Sequence, residues 1–118
     1  MDKTSFVVPG RPVGKERARK GKNGTFYTPP RTREYENLVS WKARMAHVGA
    51  PFEGPVKLEM EIRSRKSRAD TSNILKAIED AMNRIVYHDD KQIKEIHIRR
   101  INGEQEEVQV TISKIRGG

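Results

Sequence analysis

The sequence predicts one small α+β domain built on a mixed sheet, with elements in the order strand, strand, helix, strand, helix, strand, strand. Three observations carry that prediction. Val56, Leu58, Met60 and Ile62 alternate with Lys57, Glu59 and Glu61, the two-residue period of a strand buried on one face. Ile74, Ala77, Ile78, Ala81, Met82 and Ile85 recur at spacings of three and four, the period of an amphipathic helix. Two further alternating runs follow, Ile96 to Arg99 and Val108 to Ser113. A chain of 118 residues holds one domain with one core, residues 1–118.

Taken in order, Thr4 to Val8 is a short apolar run closed by Pro9-Gly10, and reads as the first strand. Residues 11–24 have almost nothing to bury. They carry Arg11, Lys15, Arg17, Arg19, Lys20 and Lys22 against one acid, Glu16, and read as a mobile basic loop. Thr25 to Thr28 is β-prone, with Tyr27 expected to pack rather than to stack on a base. Pro29-Pro30 stops that strand, and Thr32 is the expected N-cap of a first helix. Tyr35, Leu38, Val39, Met45 and Ala46 form its expected apolar stripe, with Trp41 beside it. His47, near its C-terminus, is expected to be a dipole-compensating cation or a surface residue rather than a ligand. Gly49 and Pro51 end the helix.

After the alternating strand, Arg63, Arg65, Lys66 and Arg68 make a second basic cluster. One helix is expected to fill the interval between Asp70 and the pair Asp89-Asp90, with Lys76 on its polar face about two turns from the start. Asn102-Gly103 marks a turn between the last two strands, as in a hairpin with a lengthened loop. Gly117-Gly118 is expected to be a frayed end.

Composition narrows the partners. The hydrophobic and charged fractions are both 34%, so the core is lean and a second subunit is expected to cover part of the apolar surface. The formal net charge of +8 favours a polyanion, because clustered Lys and Arg gain affinity by releasing counterions from phosphates. The absence of cysteine excludes disulfides and thiolate zinc sites. No run approaches the roughly 20 apolar residues of a membrane span, and the N-terminal residues do not resemble a signal peptide.

In so basic a chain, Asp70, Asp89 and Asp90 are the chemical candidates. Clustered carboxylates repel one another unless a cation sits among them. Hard oxygen donors suit Mg²⁺ or Mn²⁺. Beside a phosphodiester, such an ion polarises an oxygen and activates water, and Lys76 could offset the added negative charge. The structural alternatives are that Asp70 simply caps the helix and that Asp89-Asp90 forms a turn.

Two stretches give these residues a wider context. Phe6-Val7-Val8-Pro9-Gly10-Arg11-Pro12-Val13-Gly14-Lys15-Glu16-Arg17, with Tyr27-Thr28-Pro29 and Thr32-Arg33-Glu34-Tyr35-Glu36, is the first. Asp70-Thr71-Ser72-Asn73, with Lys76, Asp80-Ala81 and Asp89-Asp90-Lys91-Gln92, is the second. In order and spacing the chain resembles the RusA family of Holliday junction resolvases. The resemblance implies a RusA-like fold and a homodimeric Mg²⁺-dependent endonuclease, with Mn²⁺ a second candidate ion and no small-molecule cofactor. Its substrate would be DNA four-way junctions, resolved by paired symmetric nicks in recombination and repair. It implies catalytic roles for Asp70, Lys76 and Asp90 and metal binding by Asp70, Asp89 and Asp90. Ser72, Asn73 and Glu79 are supporting candidates. Ser72 stands where some members carry a second acid, which removes one charged ligand. The DNA-binding candidates are Arg11, Lys15, Arg17, Arg19, Lys20, Lys22, Arg65, Lys66 and Arg68. A bacterial or phage-derived protein of the cytoplasm, with no membrane, is implied as well. The alternatives of another class are a non-catalytic DNA-junction binding module and a small RNA- or ribosome-associated basic protein.

Overall fold

The computed structural model describes residues 2–116; Gly117-Gly118 lies outside them. Strands β1 (Lys3–Pro9), β4 (Val56–Arg63), β5 (Ile93–Ile101) and β6 (Glu107–Lys114) form one mixed sheet in the order β1-β6-β4-β5. Strands β2 (Arg19–Lys20) and β3 (Phe26–Tyr27) form a separate two-stranded ribbon. Helices α1 (Pro30–Ala46) and α2 (Thr71–Met82) complete the α+β domain.

Alternation explains the sheet. Thr4, Phe6 and Val8 of β1, Val56, Leu58, Met60 and Ile62 of β4, and Val108, Val110 and Ile112 of β6 are all buried. In register, Phe6 opposes Val110, and Val110 opposes Met60, so one continuous apolar face results. Tyr35, Val39 and Ala43 of α1 and Ile74, Ala77, Ile78, Ala81 and Met82 of α2 join the same core. The opposite face carries ion pairs. Glu61 takes Arg63 at 2.8 Å, which places Glu59 and Glu61 on the side of the sheet away from the core.

Strands β4 and β5 run parallel because α2 carries the chain between them, as parallel neighbours require. Strand β6 then returns antiparallel to β4 on its other edge. The expected hairpin at Asn102-Gly103 is therefore corrected: β5 and β6 flank β4 and do not pair with each other.

Other expectations also change. Pro29 occupies the N-cap of α1 with Pro30 in the first turn, where proline's missing N–H costs nothing. Thr32 is not the cap; it is buried one turn inside. Trp41 and Met45 belong to the outer face of α1, 56% and 62% exposed. His47 is not a surface residue but buried. Its Nδ1 lies 2.6 Å from Thr4 Oγ1, and its Nε2 donates to the Ala50 carbonyl at 2.8 Å, since a carbonyl can only accept. Helix α2 stops at Met82, short of Ile85, because Arg84 adopts a left-handed backbone (φ 68°) and its N–H turns to the Tyr87 carbonyl. The expected basic loop 11–24 contains β2, an element its charge pattern concealed.

Candidate functional site

Asp70 occupies the N-cap position of α2 with extended dihedrals, yet its side chain makes no capping hydrogen bond. Its backbone carbonyl alone serves the helix, accepting from Asn73 and Ile74 N–H at 3.1 and 3.0 Å. Asp70 lines a cleft of about 480 Å³ together with Arg11, Lys15, Glu16, Arg31, Lys66, Arg68 and Asn73. Five cationic side chains thus share the cleft with two acids, Asp70 and Glu16. Arg31, from the first turn of α1, joins this lining although it was not among the sequence candidates. Only the approach of α1 to residues 11–16 reveals it.

Both sides of the cleft are held by specific contacts. Lys15 N–H donates to the Asn73 carbonyl at 2.9 Å, and Ser67 Oγ donates to the Pro12 carbonyl at 2.8 Å. Thr32 Oγ1 accepts from Glu16 N–H at 3.3 Å and reaches the Gly14 carbonyl at 3.5 Å. Gly14 allows this approach: a Cβ there would lie 3.0 Å from Asn73 Cβ and 3.1 Å from Ala69 Cβ. The facing loop is gripped by Glu106, whose carboxylate accepts from Ser64 Oγ at 2.5 Å, Arg65 N–H at 2.8 Å and Lys66 N–H at 3.3 Å. Those hydrogen bonds, the Ser64 hydroxyl first, hold the Glu106 pKa below its ordinary value. From β5, the Arg100 guanidinium donates to the Ala69 and Ser67 carbonyls at 2.7 and 3.2 Å and to Thr71 Oγ1 at 3.1 Å. It holds two carbonyls that precede Asp70 and the Thr71 hydroxyl that follows it, a role the sequence pattern did not reveal.

Lys15 turns away from solvent to bind two acids, Glu36 at 2.7 Å and Asp80 at 3.1 Å. Partial burial opposes its charge, but the hydrogen bonds to Glu36 and Asp80 outweigh that and raise its pKa. Lys76 lies 3.5 Å from the other Asp80 oxygen and stays largely exposed. Ser72 is exposed in the first turn of α2. Of the remaining basic candidates, Arg17, Arg19, Lys20, Lys22 and Arg65 are exposed, and Arg65 lies 3.8 Å from Glu104.

The second acidic group is at the far end of α2. Asp89 caps a short 3-10 helix, Asp90–Gln92, accepting from Lys91 N–H at 2.8 Å while Gln92 Oε1 accepts from Asp89 N–H at 3.1 Å. Asp90 is turned towards α2 and accepts from Asn83 Nδ2 at 3.4 Å. Glu79 is near enough for its pKa to rise, through partial burial first and the Asp90 charge second. Tyr87, whose phenol burial keeps protonated, donates to the Glu79 carbonyl at 2.7 Å and ties this end together.

The structure therefore brings Asp90, Glu79, Asp80 and Lys76 near one another and leaves Asp70 apart. From Asp70 to Asn83 the helix rises about 20 Å. Among the described residues, no three His, Cys, Asp or Glu side chains converge to hold a metal ion.

Comparison with known proteins adds two findings. A family model described as endodeoxyribonuclease RusA matches residues 9–113. An uncharacterized protein of Bacillus subtilis (strain 168), YqaN, is 24% identical over 140 aligned residues, covering 98% of this chain and 99% of that protein.

Proposed function

This chain belongs to the RusA endodeoxyribonuclease family, whose members act on DNA junctions, and from that premise we propose a divalent-metal-dependent, homodimeric resolvase of four-way junctions. One observation carries the proposal: the Asp70 carboxylate, exempt from capping, lines a cleft with Glu16 and five cations, of which only Lys15 is drawn to Glu36 and Asp80. A solvated surface has no reason to collect five cations around two acids. A phosphodiester with a bridging divalent ion does.

The donors fit such an ion in kind. Asp70 and Asp90 are hard carboxylate ligands, Ser72 adds a neutral oxygen, and Mg²⁺ needs only one or two carboxylates beside its waters. Bound there, Mg²⁺ or Mn²⁺ would supply Lewis-acid polarisation of the scissile phosphate. Arg11, Arg31, Lys66 and Arg68 would hold the phosphates to either side, and Lys76 would offset charge gathering on the reacting phosphate. Asp89, already engaged in its cap, would orient Asp90.

A homodimer is part of the same proposal. Asp70 and Asp90 stand at opposite ends of α2, about 20 Å apart along its rise, which supports a site that would draw the two acids from two copies. A four-way junction is itself nearly two-fold, and an isologous dimer presents two equal sites to it. Trp41 and Met45, exposed at i and i+4 on α1, offer apolar surface for a second copy to cover. Paired symmetric nicks in recombination and repair, in a bacterial or phage-infected cytoplasm, follow as the biological role. No helix among the described residues is long and apolar enough to cross a membrane.

The test is cleavage of a synthetic immobile four-way junction with linear duplex as competitor. Paired nicks in Mg²⁺ or Mn²⁺, abolished by chelator, are expected. Tight junction binding with no nicking in either metal would instead identify a binding module.

A further inference from the structure

No residue of the β2–β3 ribbon lines the Asp70 cleft. The ribbon is not loose: Gly21 N–H donates to the Thr25 carbonyl at 2.7 Å, and Asn23 Oδ1 accepts from the Thr25 hydroxyl at 2.6 Å and its N–H at 3.3 Å. Gly24 supplies the left-handed residue of the turn (φ 84°). The turn thus presents two consecutive aromatics, Phe26 at 71% and Tyr27 at 43% exposure. In a chain with a lean core, leaving these rings in water needs a reason.

Strand geometry gives the ribbon a particular form. Successive side chains point to opposite faces, so one aromatic projects from each side. Register adds a cation to each: Lys20 opposes Phe26, and Arg19 opposes Tyr27. A cross-strand pair of this kind places a flat apolar surface beside a positive charge. The ligand that matches both is a nucleotide, with a base to stack and a phosphate to neutralise. The neighbourhood agrees. Lys15, Glu16, Arg17, Arg19 and Asn73 line a hollow of about 570 Å³, and Lys15, Glu16 and Asn73 also line the Asp70 cleft. The ribbon is therefore continuous with the proposed site of chemistry.

We propose that the β2–β3 ribbon is a branch-point wedge, in which Phe26 and Tyr27 stack on bases splayed from a DNA junction while Lys20 and Arg19 grip the flanking phosphates. Duplex DNA offers no open base face inside its stack, so the wedge favours branched over linear DNA. This rests on DNA as the substrate but not on cleavage, and the test separates the two.

Full-length protein is titrated, in chelator, into three probes carrying 2-aminopurine: at the branch of a four-way junction, within a single strand, and within a linear duplex. Wild type is expected to change the fluorescence of the first two and not the third. The Phe26→Ala/Tyr27→Ala variant should lose that response and bind the junction roughly tenfold more weakly, with duplex affinity nearly unchanged. Phe26→Trp should keep both. Equal unfolding midpoints for all variants establish that the fold is intact. A double-alanine variant with wild-type fluorescence and selectivity overturns the wedge, even if the enzyme cuts junctions. So does a wild type silent on all unpaired bases. A wild type that fails to nick in any metal but shows the Phe26-dependent response overturns the resolvase and leaves the wedge standing.

Discussion

Asp70 and Asp90 sit at opposite ends of α2, the first immediately before its opening turn and the second against Asn83, immediately after its last. A metal site made from both would join the Asp70 end of one protomer to the Asp90 end of its partner. Asp70→Asn and Asp90→Asn should each bind a junction and lose nicking by roughly 10²- to 10³-fold, the scale of removing one transition-state group. Mixing the two inactive variants discriminates further. In a shared site, each mixed dimer rebuilds one intact pair and recovers single nicks. Sites confined to one chain would stay dead in every mixture, and that result would exclude the shared arrangement.

Lys15 and its basic neighbours should separate in their effects. Lys15 is paired with Glu36 and Asp80 in a partly buried position, so Lys15→Ala should cost roughly 1–2 kcal/mol of stability. Arg17→Ala and Lys20→Ala should leave stability within about 0.5 kcal/mol. Each should reduce the slope of log K against log salt for junction binding by about one. Chemical denaturation and salt titration read the two quantities. Identical behaviour of all three variants would count against the distinction.

Gly14→Ala should destabilise by roughly 1–2 kcal/mol, because the new methyl meets Asn73 Cβ and Ala69 Cβ too closely. The cleft is bounded by the same contact, so junction affinity should drop with it. An unchanged unfolding midpoint would mean that residues 12–16 shift freely.

Glu106 should give the protein an acid-side dependence. Its folded pKa lies below the ordinary value of 4.5, so the unfolded chain binds the proton more readily. The contribution is complete above about pH 4.5 and disappears as pH falls through the folded pKa. Glu106→Gln should therefore be less stable than wild type at pH 7, with the gap closing in acid. A gap independent of pH would show that the charge is not what holds residues 64–66.

Much of this protein was legible residue by residue. The alternation of Val56 to Ile62 and the spacing of Ile74 to Met82 locate β4 and α2, because both periods are local geometry. Charge made residues 11–24 and 63–68 candidate phosphate contacts before any fold was known. What misled was also local. Trp41 and Met45 satisfy the helical period as well as Leu38 does, but a period does not say which face a neighbour will cover. Thr32 had the chemistry of a cap and became a bracket for Glu16, because Pro29 had already set the helix start.

The sequence alone determined the α+β class, the two helices, the buried faces of β1, β4 and β6 and the family to which the acids belong, whereas the alternation in β5 marked no buried face. Tertiary structure decided the rest. It inserted β4 between β5 and β6, released Asp70 from capping, drew Lys15 into an ion-pair network and set Asp90 a helix length from Asp70. The physical reason is range. Backbone periods and capping preferences act over a few residues, whereas strand order and charge pairing depend on segments that meet only when the core closes.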